Sequence, residues 1–266
     1  GQIRWNGNND GADVDSLGLW YDGTAVVVGR DLVYTLGSED DVASPLKAVA
    51  YRKTDGGLAW ETVLPDSIPG ASAAGQPAAL LAPVLYQGKL YVIAPNVDSG
   101  APGVYNTTLP QLVYRLNAAD GELDWYTLLD GIKIRMEGAV TLVPDAFGAG
   151  EHGLYCNGDS SASGDGKPEV YGIKVKSDGA ELAWAVEGGK VARSHVIYAE
   201  ATGLLYTHTW ADYGGTLYAF DPVTGATTVN TNNLNPDSSP TGHGFFDVGC
   251  VDFSGSDIIA GGFEGI

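Results

Sequence analysis

One sequence pattern occurs four times in this chain, and it constrains the fold more than any other feature. An aromatic-rich strand runs into a Gly turn, and a second strand follows that carries Trp at 47–60, 112–125 and 170–184. The fourth copy, 217–225, keeps the strand and turn but loses the Trp. The turns are Asp55-Gly56, Asp120-Gly121, Asp178-Gly179 and Thr224-Gly225, pairs that supply the positive φ a tight hairpin demands. Their glycines are unevenly spaced. A regular motif at irregular spacing describes one structural unit repeated with connections of variable length.

Each motif also has two strands upstream. Ala82–Tyr86, the Gln87-Gly88 turn and Lys89–Ile93 precede the second motif. Ser194–Tyr198, a turn through Thr202-Gly203 and Leu204–His208 precede the fourth. Four antiparallel strands joined by tight turns and repeated in this way form the blade of a β-propeller. The 266 residues fit a single all-β domain spanning 1–266. The 38 glycines, 14 tyrosines and six tryptophans agree with antiparallel structure, and 44% hydrophobic residues suffice for a core.

Strand counting predicts about five four-stranded blades. First strands begin near Leu17, Ala82, Gly138, Ser194 and Gly244, and a fifth second strand covers 256–261. Gly1-Gln2-Ile3-Arg4-Trp5 matches the Gly-x-x-x-Trp end of the motif, so the N-terminal strand is expected to close the ring beside the C-terminal blade. Trp5 in an N-terminal tail is the competing reading. With 263–266 where a third strand would begin, closure leaves one strand missing between the two termini. A continuing chain, a neighbouring copy or another subunit would supply it; alternatively, residues 1–5 slide into its place.

The run Leu217-Tyr218-Ala219-Phe220-Asp221-x-x-Thr224-Gly225 resembles the repeat of the PQQ-like propellers, the quinoprotein alcohol dehydrogenase-like superfamily. The resemblance covers most of the chain. It implies that Trp60, Trp125 and Trp184 dock between neighbouring blades. It implies little about activity, because the same repeat serves catalytic quinoproteins and non-catalytic scaffolds. Catalytic members carry a disulfide between consecutive cysteines over the cofactor. Here Cys156 and Cys250 fall in different repeats, either as small buried hydrophobes or as a disulfide pair, so no quinone is expected.

The net charge of −19 repels phosphate backbones and anionic lipid, so nucleic acid is excluded as a partner, and no stretch approaches a membrane span. The chain opens at Gly1 without a basic and apolar leader, which suits a processed chain or an excised segment. Asn106-Thr107-Thr108 is a glycosylation sequon, and with it the expectation is a secreted glycoprotein.

Two loops place oxygen side chains as Ca²⁺ loops do: Asn6, Asn8, Asp10 and Asp13, and then Asp165 and Glu169. Calcium is the ion such loops would take, and plain polar turns are the alternative. His152, His195, His208 and His243 share no zinc-ligand spacing. Paired carboxylates for glycoside hydrolysis would come from Asp22, Glu137, Glu200 or Asp247, near the expected channel. Trp20 is expected in the core. Trp210, Asp212 and Tyr213 lie between a second and a third strand, where two aromatics can stack on a sugar while the carboxylate takes its hydroxyls. An aromatic lid over a blade edge is the alternative. Tyr105 sits beside the sequon on 96–110, a binding loop or a glycan-bearing spacer. These residues favour a non-enzymatic binding or assembly module for a protein or glycan. The alternative is part of a larger carbohydrate-active or quinone-type propeller enzyme.

Overall fold

The computed structural model describes residues 26–37, 46–65, 76–77, 81–94, 96–97, 111–130, 138–157, 170–186, 196–208, 217–231, 249–251 and 258–260. Among these residues there are strands and turns and no helix. Sixteen strands make four sheets of four, each antiparallel and in simple sequential order. The first sheet holds β1 (Val27–Val28), β2 (Leu32–Gly37), β3 (Lys47–Arg52) and β4 (Leu58–Val63). The second holds β5 (Val84–Tyr86), β6 (Lys89–Ala94), β7 (Gln111–Asn117) and β8 (Leu123–Leu129). The third holds β9 (Thr141–Gly148), β10 (Glu151–Asn157), β11 (Val170–Val175) and β12 (Ala180–Val186). The fourth holds β13 (Ile197–Ala199), β14 (Leu204–His208), β15 (Leu217–Phe220) and β16 (Thr227–Thr231). These are the up-and-down blades of a β-propeller. The fifth repeat is represented among the described residues by β17 (Gly249–Val251), paired antiparallel with β18 (Ile258–Ala260). The N-terminal closure strand, Trp5, Trp20 and 263–266 lie outside the described residues.

The chain divides into two compact units, 1–131 and 132–266, with two full sheets in each. In the first unit Leu36, Ala48, Leu90, Val92, Leu112 and Tyr114 fill a core between two sheets. In the second, Tyr155, Val170, Leu205 and Phe220 do the same. Middle strands are buried on both faces, which explains the near-continuous apolar runs Leu90–Ala94 and Leu112–Tyr114.

One row of side chains crosses every sheet at the same register. Tyr34, Ala50 and Trp60 are neighbours across β2, β3 and β4; Tyr155, Gly172 and Trp184 are their counterparts in the third sheet. A register shift between strands three and four recurs beside this row, at Ala50/Tyr51, Arg115/Leu116, Gly172/Ile173 and Ala219/Phe220. Such a bulge re-aims the side chain next to it. In the first three sheets that side chain is the tryptophan, and in the fourth it is Val229.

The expected docking holds inside each unit. Trp60 donates its indole N–H to Ala118 O at 3.1 Å, and Trp184 donates to Pro222 O at 2.9 Å. Each indole ring lies on a turn glycine of the following sheet. A Cβ on Gly121 would stand 2.5 Å from Trp60, and one on Gly225 would stand 2.6 Å from Trp184. Both glycines have positive φ, 78° and 70°. Only glycine satisfies the conformation and the contact together.

One expectation needs correction. Gly179 is not a left-handed turn glycine. The third sheet's ladder runs further, through Val175↔Ala180, and Lys176 N–H closes a shorter turn on Gly179 O. Two more residue pairs thus replace the wider turn seen at 118–122 and 221–226. Trp125 occupies the tryptophan position of β8, with surroundings unlike those of Trp60 and Trp184. Opposite it stands Arg115 instead of a small residue, with the guanidinium 5.4 Å from the ring centroid. Its buried indole N–H has no acceptor among the described residues.

Candidate functional site

The connections sort by length and by end. Strands one and two, and strands three and four, are joined by short hairpins such as 53–57, 87–88, 118–122 and 200–203. Strands two and three are joined by the longer 38–46, 95–110, 158–169 and 209–216. In an up-and-down sheet these long connections leave the end opposite the short hairpins. Each unit therefore has a hairpin end, tied down by the tryptophans, and a loop end.

In the second unit the loop end rests on a buried polar pair. Asn157 closes β10 and Thr207 lies near the end of β14, 8% and 2% exposed. The Asn157 amide Nδ2 donates to Thr207 Oγ1 at 3.2 Å, and the Thr207 hydroxyl lies 3.5 Å from Asn157 Oδ1. The pair ties the second strand of the third sheet to that of the fourth. At the other end Tyr155 donates its hydroxyl to Pro222 O at 2.8 Å, beside the Trp184 bond. Burial drives the Tyr155 phenol well above its ordinary range, with the negative potential of Tyr198 and Asp221 adding to it, so it stays a donor. Two adjacent sheets are thus pinned at both ends. The segments 158–169 and 209–216 start from neighbouring anchors.

Those segments carry Asp165 and Glu169, and Trp210, Asp212 and Tyr213. All five lie outside the described residues, as do Tyr105, Asn106 and the loop of Asn6, Asn8, Asp10 and Asp13. What the structure brings together is the bases of the two second-unit loops. Of the acids expected near a channel, Asp22, Glu137 and Asp247 are outside the described residues. Glu200 is exposed in the hairpin between β13 and β14, at the hairpin end. Among the described residues no three His, Cys, Asp or Glu side chains converge. His152 is engaged in its own hairpin: Nδ1 accepts the Asp145 N–H at 3.0 Å, and Asp145 Oδ1 accepts Gly150 N–H at 2.8 Å. Cys156 is buried and free, and burial pushes its thiol up to about 12. A thiol in that state is inert. No helix of the described residues is long and apolar enough to cross a membrane.

Asn157 and Thr207 were not legible as site residues by motif. The signal available was register. Aligning the second strands on Tyr155 and Tyr206 puts Asn157 two places and Thr207 one place beyond, so they project from opposite faces of consecutive sheets.

No family model matches the chain, and no curated protein matches it. Solved structures do. BamB from Moraxella catarrhalis is 16% identical at a TM-score of 0.42, covering 79% of this chain and 54% of that one. Quinohemoprotein alcohol dehydrogenase from Comamonas testosteroni is 11% identical at 0.48, over 90% and 39%. Exo-beta-1,3-galactanase from Phanerochaete chrysosporium is 8% identical at 0.43, over 79% and 49%. The chain spans about half or less of these proteins. The four sheets, their shared bulge and the tryptophans seated on the next turn glycine are those of an all-β propeller.

Proposed function

We propose that this chain is a secreted, non-enzymatic propeller module that takes a glycan or a glycan-bearing protein at the loop end of its second unit. The observation that supports this most is the Asn157–Thr207 bridge, which gives 158–169 and 209–216 adjoining bases. Trp210 and Tyr213 would supply stacking faces, and Asp212 would accept sugar hydroxyls. Asp165 and Glu169 would hold Ca²⁺, which can bridge sugar hydroxyls and protein oxygens. Tyr105 and a glycan on Asn106 belong to the corresponding loop of the first unit.

Titration calorimetry against neutral oligosaccharides, with and without millimolar calcium, tests the reading. Trp210→Ala and Asp212→Asn are expected to weaken binding at least about tenfold, the loss of roughly 1.4 kcal/mol. Heat from no oligosaccharide with either ion condition would remove the glycan reading. Chromatography of the same mixtures separates the alternative, because cleaved sugars would identify an enzyme. Calcium that binds the native loops raises the melting temperature by mass action. A melt that is the same in calcium and in chelator removes the ion.

A further inference from the structure

We infer that Asn157 is a latent deamidation site, closed while the third and fourth sheets are hydrogen-bonded through it and opened when they part. Asn157 is followed by Gly158. In an Asn-Gly step the glycine nitrogen can attack the side-chain carbonyl carbon with no Cβ in its way. A bond forms from Gly158 N to Asn157 Cγ, the Cγ–Nδ2 bond breaks, and Nδ2 leaves as ammonia carrying the proton of the attacking amide. Water then opens the cyclic imide at either carbonyl, to aspartate or to isoaspartate.

The folded chain blocks each requirement. Asn157 is Cα-paired with Val170 in the ladder, and ring closure requires its backbone to leave that extended conformation. Its Nδ2, the leaving group, is engaged by Thr207 Oγ1, so the carboxamide cannot rotate toward the main chain. Asn157 is 8% exposed and Thr207 is 2% exposed, which keeps out the water that the reaction consumes and the base that catalyses it. When the sheets separate, all three protections go at once. The product then resists return. Aspartate puts a carboxylate where an amide donated to Thr207, and isoaspartate lengthens the backbone at the residue that pairs with Val170. A transient opening becomes a permanent mark on the strand that carries the loop.

Tryptic peptide mapping of the whole chain reads this directly. Lys167 precedes Pro168 and resists cleavage, so Met136–Lys174 is one peptide with Asn157 as its only asparagine and no glutamine. Its mass rises by about one unit on deamidation. The chain is incubated at mildly alkaline pH, once native and once in urea at the same temperature. The native peptide is expected to deamidate at least about tenfold more slowly, because exchange through rare opening scales with the open population. Thr207→Val should raise the native rate severalfold, and Thr207→Ser should restore it. In urea all three chains should react alike. Equal native and unfolded rates for the unsubstituted chain would overturn the inference, whether or not the valine variant folds. So would a folded Thr207→Val chain, verified by circular dichroism, that deamidates no faster.

Discussion

At the scale of single residues, the second unit balances two donors on one acceptor. Tyr155 and Trp184 both donate to Pro222 O. Replacing either by Phe leaves that carbonyl one partner, a loss of about 1 kcal/mol, and Trp184→Phe costs more because it also empties part of the ring's seat on Gly225. Replacing both strips a part-buried carbonyl, and the double variant should lose about 1 kcal/mol beyond the sum. Urea melts of the four chains measure the coupling, and simple additivity would show the bonds to be independent. In the first unit Gly121→Ala must enter a left-handed conformation and meet the Trp60 ring. It is expected to lower stability by about 2 kcal/mol or more, most of it relieved by truncating the ring in Trp60→Ala, Gly121→Ala. The pairing of a Trp with a distant turn glycine was legible in the sequence because both sit at fixed places in the repeat. The orphaned N–H of Trp125 was not. Arg115 stands opposite the ring where Ala50 and Gly172 stand in the first and third sheets, and the repeat motif does not announce that exchange.

At the scale of elements, the hairpins and the long connections should respond differently to added length. Two glycines inserted after Asp120 displace Gly121 from Trp60 and are expected to melt the first unit markedly lower. The same insertion after Asp159 falls in the connection 158–169, beyond every described ladder. Its cost is loop-closure entropy, less than about 0.6 kcal/mol, or a melting point within a degree or two of the original. Calorimetry distinguishes the two, and equal losses would contradict the division between ends. The four-stranded unit itself was legible, since aromatic and β-branched runs between Gly turns leave few alternatives. The bulge beside Ala50, Arg115, Gly172 and Ala219 was not, because plain alternation assigns faces without it. The site was legible only as residue types on loops. Their shared base is a property of two strands fifty positions apart.

Across the whole molecule, charge sets the response to acid. Lysine and arginine are drawn into cross-strand pairs: Lys47 with Glu61 at 2.8 Å, and Lys89 and Arg115 with Asp124 at 2.8 Å each. Partial burial would raise the Asp124 carboxyl, but hydrogen bonds from Lys89 and Arg115 outweigh it and hold the group below the usual range. The backbone N–H of Thr224 does the same for Asp221 against a smaller burial effect, helped by the Thr224 hydroxyl and Val223 N–H. Carboxyls lowered by folding stabilise above their unfolded pKa of about 4, and that contribution is lost as pH falls through the folded values. The net −19 acts oppositely, since mild acid relieves self-repulsion. Stability should therefore peak near pH 5 and fall below about pH 4. Asp124→Asn with Asp221→Asn should flatten the acid limb of a melting-temperature profile, and an unchanged limb would point to other carboxyls.

The seating of each tryptophan on the next sheet's turn also gives the chain a timetable. Trp60 is 58 positions ahead of the carbonyl it needs, and Trp184 is 38 ahead of its own. On a ribosome adding roughly 5–20 residues per second, Trp60 waits about 3–12 s for Ala118 to be made. During that interval a completed sheet carries an indole with nowhere to sit. The newest sheet of a nascent unit is always the unfinished one, and a pause in translation between residues 60 and 118 would prolong the exposure of its most adhesive side chain.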